Sequence, residues 1–399
     1  MNRYALFLLG VSSIGLRYAS CGNILLASEV LSPSHQIWNY ALAEGLMAKG
    51  HNVTMLGPFA DRGNSSDKYH PLLLEGYLDL LLQNEDLDLK SFSDLQPIPF
   101  MRALINYSLK VCNHSYHTRG FKTLLSYPRD FRFDLIIIEV TQNACLYPLI
   151  QRFGYPPSIA ATAFLLPPYA AANFGNQLYT SYLPAYFSDY GGDMGFLQRL
   201  ANHVFTYADA TVRWDYEMQT IEKMARRVFG EDMDSMARLM RHMTVMLCNL
   251  DPVVTHPQPL PPNIVPVGGL HVKRAKKLPG NLLAIMENSK NGVILFSLGT
   301  NIQSANLGRK TLRALLDAFS KLKLTVLWKF ETELNVTLPK NVIVRKWLPQ
   351  NDILGHRNTK LFISHCGALG TYEAVYHGVP MVGMPFFADQ KNNRQQFGR

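Results

Sequence analysis

Short apolar runs alternate with amphipathic helical stretches along most of this chain. An apolar run at 23–28 (NILLAS) predicts a buried strand, and after a loop with Pro33 apolar residues recur at helical spacing as far as Leu46. Gly50 is expected to end this helix, and residues 52–56 (NVTML) predict a second strand. A strand, a helix and a strand in this order predict a βαβ unit, from which parallel sheets are built.

The alternation continues through the first half of the chain and resumes near its end. Further strands are predicted at 134–138, 158–164 and 244–248, with a long helical region at 194–243. Seven prolines between residues 251 and 280 interrupt regular structure and predict a linker. Beyond the linker, apolar runs predict strands at 292–296, 324–328, 341–344, 361–364 and 381–384.

Two α/β domains follow from this pattern, and a length of 399 residues also favours two domains over one. We expect a signal peptide at 1–21, an N-terminal domain at 22–250, a linker at 251–280 and a C-terminal domain at 281–399. The carboxyl ends of the two parallel sheets are expected to face each other across a ligand-binding cleft.

The N-terminus has the features of a secretory signal: Arg3, an apolar stretch at 4–16, and small residues at Ala19, Ser20 and Gly22. No later apolar run reaches the roughly 20 residues of a transmembrane helix. We therefore expect no membrane anchor in this chain, and a location in the lumen of the endoplasmic reticulum or outside the cell.

Cysteine and asparagine patterns add little to this picture. The five cysteines show no metal-ligand spacing, and no disulfide framework follows from them: Cys21, Cys112, Cys145, Cys248 and Cys366. Five Asn-x-Ser/Thr sequons agree with a lumenal location: Asn52, Asn64, Asn106, Asn113 and Asn335. Asn52 begins a predicted strand, where glycosylation is least expected.

The net charge of +9 raises the question of a nucleic-acid partner. The one basic run, at 271–277, lies among prolines and glycines and is interpreted as a solvated linker. No nucleic-acid motif is present, so no nucleic-acid partner is predicted.

The segment at 347–390 carries the most chemistry. Its strand LFIS leads into His365, Cys366 and Gly367, and a helix is expected from about Gly370 to Gly378. Glycine lets the backbone approach a ligand, and the free N–H groups of a helix start suit a diphosphate. The glycines alone also fit a tight turn in which His365 caps the helix, so spacing by itself does not identify the ligand.

Over some 44 positions, residues 347–390 resemble the signature of animal-type UDP-glycosyltransferases. FSLGT at 296–300 and PNIVPVGGLHV at 262–272 resemble family segments in the same order. The resemblance implies a GT-B-like fold of two facing Rossmann-like domains, with the acceptor on the first and the UDP-sugar on the second. The family chain normally continues with a helix that crosses back, a membrane span and a basic tail, so the C-terminal domain is expected to be incomplete.

The resemblance also implies a donor site. Trp347 would stack on uracil, Gln350 would contact the nucleoside, and Glu373 would accept hydrogen bonds from the ribose. The diphosphate would be held by a set from two loops: Ser297, Gly299, Thr300, His365, Gly367, Gly370 and Thr371. The sugar hydroxyls would be bound by Asp389 and Gln390.

His35, in the loop LSPSH after the first strand, is the implied general base, since an imidazole with a pKa of about 6.5 suits that role near neutral pH. A lone loop histidine is more often solvated, and it is the resemblance that assigns the role. The family's orienting aspartate is replaced by Glu139, which is one methylene longer.

The implied reaction transfers a hexose from a UDP-sugar to a hydroxyl of a small lipophilic acceptor, with inversion. No cofactor besides the UDP-sugar as co-substrate and no metal are expected. Asn249 stands where glucuronosyl-transferring members carry an arginine, which favours glucose.

Two other functions stay open. A truncated, non-catalytic family member would bind lipophilic ligands or associate with full-length relatives. A nicotinamide-dependent dehydrogenase fits less well, because neither first strand is followed by the G-x-G-x-x-G turn.

Overall fold

The computed structural model describes residues 21–60, 66–84, 95, 97–142, 144–186, 188–334, 336–387 and 389–397. The first seven strands are β1 (Asn23–Ala27), β2 (Asn52–Gly57), β3 (Tyr69–Leu73), β4 (Leu135–Glu139), β5 (Ser158–Thr162), β6 (Val245–Cys248) and β7 (Ile264–Pro266). Between them lie α1 (Pro33–Ala48), α2 (Tyr77–Gln83), α3 (Pro97–His117), α4 (Arg119–Leu125), α5 (Pro148–Arg152), α6 (Pro168–Asn173), α7 (Phe196–Ala208), α8 (Trp214–Phe229) and α9 (Met236–His242).

The second half contributes β8 (Val293–Ser297), β9 (Thr325–Lys329), β10 (Val342–Arg345), β11 (Thr359–Ser364) and β12 (Met381–Gly383). Its helices are α10 (Gly280–Asn288), α11 (Arg309–Ser320), α12 (Gln350–Leu354), α13 (Ala368–Tyr376) and α14 (Gln390–Phe397).

These strands form two sheets of parallel neighbours, as the alternating pattern predicted. The first sheet has the order β3-β2-β1-β4-β5-β6-β7 and the second the order β10-β9-β8-β11-β12. In each sheet the first strand is central, and the next two strands are added on one side of it as far as the edge. The later strands are then added on the other side of the first strand. This reversal creates a switch point between β1 and β4, and another between β8 and β11, where open α/β sheets bind ligands.

Both faces of each sheet are buried, which explains the nearly continuous apolar strands. Leu25 and Ala27 of β1 face one core and Ile24 and Leu26 face the other. In the second sheet Val293 and Leu295 face one core, whereas Ile294 and Phe296 face the other. Helices cover both faces, as parallel sheets require.

A π-helical turn, Asp209–Arg213, joins α7 to α8 within the long helical region predicted at 194–243. Directly after it, Trp214 stacks on Tyr169 of α6, with ring centroids 3.9 Å apart and an interplanar angle of 9°. The stacked pair packs the start of α8 against α6.

Two strands were not predicted from the sequence. β3 lies at the edge of the first sheet and contains Pro71, so its burial pattern is irregular. β7 lies inside the proline-rich segment predicted as a linker and pairs with β6 through Ile264. Residues 264–266 therefore belong to the first sheet, and the chain leaves that sheet later than expected.

A disulfide links Cys112 of α3 to Cys145, with 5.6 Å between the Cα atoms. The sequence did not predict it, because cysteine spacing does not reveal pairing. Cys248 and Cys366 are buried thiols and Cys21 is exposed.

Every helix in the described ranges is too short or too polar to cross a bilayer. Residues 1–20 of the predicted signal, and the sequons at Asn64 and Asn335, lie outside the described residues.

Candidate active site

The carboxyl ends of the two sheets face one cavity of about 400 Å³. Loops after β1, β4 and β5 form one wall, and loops after β8, β10 and β11 form the other. Twelve of the fourteen predicted site residues line it: His35, Ser297, Gly299, Thr300, Trp347, Gln350, His365, Gly367, Gly370, Glu373, Asp389 and Gln390.

The other two predicted residues lie behind the cavity wall. Glu139 is buried and reaches the cavity only through its contact with His35. Thr371 is fully buried in α13, and its hydroxyl has no hydrogen-bond partner among the described residues.

His35 and Glu139 meet at the switch point of the first sheet. Glu139 is the last residue of β4, His35 lies in the first turn of the helix that follows β1, and the two strands are neighbours. The imidazole Nδ1 contacts Glu139 Oε1. The ring nitrogen Nε2 is thereby left for a ligand in the cavity.

Three further side chains hold the Glu139 carboxylate in place. The hydroxyl of Ser28 and the amide of Asn39 donate to Oε2, and the hydroxyl of Thr141 donates to Oε1 at 2.8 Å. Sequence reasoning missed all three. Of the three, Thr141 had the clearest sequence signal, because it follows the last residue of β4 by two positions.

The same contacts set the pKa of Glu139. Burial alone raises it, but the charge of His35 and the hydrogen bonds from His35, Ser28 and Asn39 outweigh burial and hold the pKa at about 2. The carboxylate is therefore ionised at physiological pH where it contacts the His35 ring. The extra methylene of Glu139 does not prevent the contact.

His365 lies at the other switch point, between two glycines. A Cβ at Gly299 would lie 2.4 Å from the imidazole Cε1, and a Cβ at Gly367 would lie 2.3 Å from Nε2. Gly299 also has a φ of +77°, which favours glycine. The glycines thus allow the ring to pack directly against backbone.

The start of α13 beside His365 suits an anion. Its N-cap is Gly367, which supplies no side-chain cap. The Asp389 carboxylate accepts a hydrogen bond from the backbone N–H of Ala368, the first residue of the helix. The free N–H groups of a helix start suit an anion. Burial and, secondarily, the charge of Lys329 lower the pKa of His365 to about 4, so the ring is neutral at pH 7. Its Nδ1 has no hydrogen-bond partner among the described residues.

The predicted nucleoside contacts lie further along the same wall. Trp347 is 52% exposed, and its ring centroid lies 6.0 Å from the ammonium of Lys329. The amide of Gln350 donates to Glu373 at 2.5 Å. Burial raises the pKa of Glu373 to about 7, although the bond from Gln350 opposes the shift.

Asp389, which precedes α14, and Gln390, the first residue of that helix, line the cavity. Asp389 accepts a hydrogen bond from Asn393 at 2.8 Å, and burial raises its pKa to about 6. The side-chain oxygen of Gln390 accepts hydrogen bonds from the backbone N–H groups of Phe386 and Phe387. Only the amide nitrogen of Gln390 is therefore left for a ligand.

Two further cavity residues, one of which joins the two walls, were not predicted. Asn301, after β8, donates to the hydroxyl of Ser32 at 2.9 Å across the cavity mouth. Lys329, at the end of β9, bonds to Glu331 at 2.9 Å and to the carbonyl of Gly299 at 2.8 Å, which fixes the glycine loop.

A family model described as UDP-glucoronosyl and UDP-glucosyl transferase matches residues 33–398. The chain belongs to this family. It is therefore a UDP-glycosyltransferase, as the resemblance at 347–390 predicted.

Relatives agree with this assignment across nearly the whole chain. UDP-glucosyltransferase 2 of Dactylopius coccus is 32% identical, over 99% of this chain and 75% of that protein. Human UDP-glucuronosyltransferase 2B17 is 30% identical, over 98% of this chain and 75% of that protein.

Solved structures confirm the predicted GT-B fold. The glycotransferase of kitacinnamycin superposes with a TM-score of 0.59 at 18% identity, over 95% of this chain and 84% of that one. A UDP-glucosyltransferase from Polygonum tinctorium gives a TM-score of 0.55 at 16% identity, over 94% of this chain and 82% of that one.

Proposed function

We propose that this enzyme transfers a hexose from a UDP-sugar to a hydroxyl of a small lipophilic acceptor, with inversion at the anomeric carbon. The observation that carries the proposal is one shared cavity, with the His35–Glu139 pair on one wall and the His365 loop with the start of α13 on the other. A base and a diphosphate cradle thus face the same space.

The proton moves from the acceptor hydroxyl to Nε2 of His35. The hydroxyl oxygen forms a bond to the anomeric carbon as the bond from that carbon to the UDP oxygen breaks, and UDP leaves with the electron pair. Attack from the side opposite UDP inverts the configuration. Glu139 stays ionised and stabilises the imidazolium that forms.

The UDP-sugar binds to the cavity wall that the loops of the second sheet form. Trp347 stacks on uracil, Gln350 contacts the nucleoside, and Glu373 accepts the ribose hydroxyls. The diphosphate is held by the first turn of α13, with His365 and the loop at 297–300 beside it. Asp389 and the amide of Gln390 bind sugar hydroxyls.

The leaving diphosphate is stabilised in this scheme by neutral donors. The N–H groups of the α13 start and the helix dipole provide positive potential where charge develops. We propose that these groups suffice and that the UDP-sugar is a co-substrate with no further cofactor or metal.

Glucose is the favoured sugar. Asn249, which replaces the arginine of glucuronosyl-transferring members, is buried, and its amide donates to the carbonyl of Ala163 at 2.9 Å. It adds no positive charge for a glucuronate carboxylate.

The acceptor is lipophilic because the first-domain wall of the cavity is rich in apolar and aromatic side chains. They include Ile37, Phe100, Leu104, Tyr107, Phe164 and Tyr169. A planar phenol fits such a wall.

The chain is proposed to reside in the lumen of the endoplasmic reticulum or outside the cell. The disulfide between Cys112 and Cys145 is typical of oxidising compartments. The sequon residues Asn106 and Asn113 are both exposed on α3. Sensitivity of the cellular protein to an endoglycosidase tests this location, and an unglycosylated, reduced protein would contradict it.

Two measurements test the activity. Purified protein is incubated with UDP-glucose or UDP-glucuronate and a panel of phenols, and β-glucoside formation is expected. Calorimetry is expected to show tighter binding of UDP than of ADP. Tight UDP binding without any turnover would support the non-catalytic alternative, whereas equal affinity for UDP and ADP would remove the donor-site assignment.

A further inference from the structure

A buried ion cluster borders the acceptor side of the cavity. Arg213, at the end of the π-helical turn, lines the cavity and is only 5% exposed. Its Nε bonds to Asp209, and its Nη1 bonds to Glu217 at 2.6 Å. Both carboxylates are fully buried, and neither belongs to the cavity lining.

The guanidinium has more donors than these carboxylates use. An arginine has five N–H groups, and the two bonds to Asp209 and Glu217 use two of them. The other three have no hydrogen-bond partner among the described residues. Buried donors are rarely left unpaired, and here the open side of the group is the cavity.

The cluster is separated from His35 by an aromatic wall. Phe164 stacks against His35 with 6.5 Å between ring centroids, and Tyr186 packs against Phe164 with 6.0 Å between centroids. The hydroxyl of Tyr186 then bonds to Asp209 at 3.4 Å. Phe164, Tyr186 and Arg213 all line the same cavity as His35. An acceptor that extends along these rings from its reacting hydroxyl at His35 therefore brings its far end towards Arg213.

The charge balance selects the kind of group that fits. One guanidinium faces two carboxyl groups, so the cluster has no surplus positive charge for an anion. Burial raises the pKa of Glu217 to about 7, against the attraction of Arg213. A neutral oxygen can accept hydrogen bonds from the remaining N–H groups of Arg213 without adding a negative charge to those of Asp209 and Glu217.

The π-helical turn and the surrounding rings support a binding role. π-helical turns are rare and recur at functional sites. The guanidinium also lies 5.5 Å from the ring centroid of Tyr169, another cavity residue. A buried ion cluster costs desolvation energy that a well-packed apolar core would avoid.

We propose that Arg213 is a specificity-determining residue that binds a neutral oxygen, such as a ketone, ester or hydroxyl, at the end of the acceptor remote from the glycosylated hydroxyl. The inference rests on the proposed function and narrows its acceptor class to two-ended molecules with a phenol or alcohol at one end and a neutral oxygen at the other.

The test uses phenols matched in size but not in the far-end group. Three scaffolds of increasing length are used: a phenol, a naphthol and a hydroxybiphenyl. Each carries an ethyl, an acetyl or a carboxylate group at the end opposite the hydroxyl. At the length that spans His35 to Arg213, kcat/KM of the acetyl compound is expected to exceed that of the ethyl compound by about tenfold to a hundredfold, the range for a hydrogen bond to a charged group. The carboxylate is expected to be poorer than the acetyl compound.

Removing the cluster as a unit tests the residue. Replacing Arg213 alone would leave two buried carboxylates unpaired, so Asp209→Asn, Arg213→Met and Glu217→Gln are combined. The acetyl-to-ethyl ratio should fall to about one. The matched control is the pair Glu222→Gln and Arg226→Met, an i,i+4 ion pair of α8 that does not line the cavity, which should keep the wild-type ratio.

The outcomes separate this proposal from the proposed function. If no phenol is glycosylated, the same ratio is measured as binding affinity by calorimetry in the presence of UDP. An acetyl-to-ethyl ratio near one at all three lengths in the wild-type protein would overturn the role of Arg213, as would an unchanged ratio in a triple variant that still binds UDP.

Discussion

At the switch point of the first sheet, between β1 and β4, two side chains meet in a closed network of hydrogen bonds. At the switch point of the second sheet, between β8 and β11, one side chain lies between glycines, one of which is the N-cap of a helix. Glu139 is bonded by His35, Ser28, Asn39 and Thr141, whereas Nδ1 of His365 has no partner in the described part of the chain. The strand order around the two points is the same.

Under the proposed function, this difference lets one topology serve two kinds of chemistry. A base needs a partner that is already in place before the proton arrives, because the imidazolium must be stabilised at once. A diphosphate cradle needs bare backbone, since a side chain would fill the space that the ligand occupies. The pKa shifts have different causes at the two points. The hydrogen-bond partners of Glu139 lower its pKa, whereas burial lowers the pKa of His365.

The largest expected effect is the loss of the base. His35→Ala should lower kcat by about 10²- to 10⁴-fold, the usual contribution of a positioned general base. UDP affinity should stay near the wild-type value, because His35 is on the opposite wall. Steady-state kinetics with calorimetry checks this, and near-normal turnover of the variant would exclude His35 as the base.

The next effect concerns the partner of the base. Glu139→Gln keeps the side-chain length but removes the charge that stabilises the imidazolium, so kcat should fall by less than in His35→Ala, about tenfold to a hundredfold. The double variant should be scarcely slower than His35→Ala, because the two groups act as one unit. If the two losses multiplied, the pair would not act together.

A smaller effect is expected at the glycines of the second switch point. Gly367→Ala and Gly299→Ala should push the His365 ring away and weaken UDP binding by about tenfold, the loss of a hydrogen bond to a charged group. Gly280→Ala is the matched control, because no atom lies within 4 Å of its added Cβ. Calorimetry with UDP decides, and unchanged affinity in both site variants would contradict the cradle.

The smallest effect is a pH dependence from Glu373. Its pKa in the free enzyme is about 7, and ribose hydroxyls donate to the ionised form, so the pKa should drop when UDP binds. UDP affinity should therefore fall as the pH is lowered below 7, by at most about tenfold per pH unit. Glu373→Gln should lose this dependence, and a wild-type protein with flat affinity across this range would argue against the ribose contact.

Local sequence alone determined much of the fold. Strands such as 52–56 and 292–296 are buried on both faces, so their apolar runs stand out, and the observed bounds differ by one or two residues. β3 and β7 were not predicted, because edge strands tolerate proline and need little burial. The resemblance at 296–300 and 347–390 supplied the predicted donor residues, since these segments keep the order and spacing of the family.

Tertiary structure decided what lies between distant segments. His35 and Glu139 are 104 residues apart, and only the pairing of β1 with β4 brings them into contact. The disulfide from Cys112 to Cys145 and the Ser32–Asn301 bond depend in the same way on packing. The Arg213 cluster was hidden for a further reason: its three charged residues look like a solvated helix face until burial is known. Chain order fixes which residues end a strand, but only packing fixes which of those ends share a cavity.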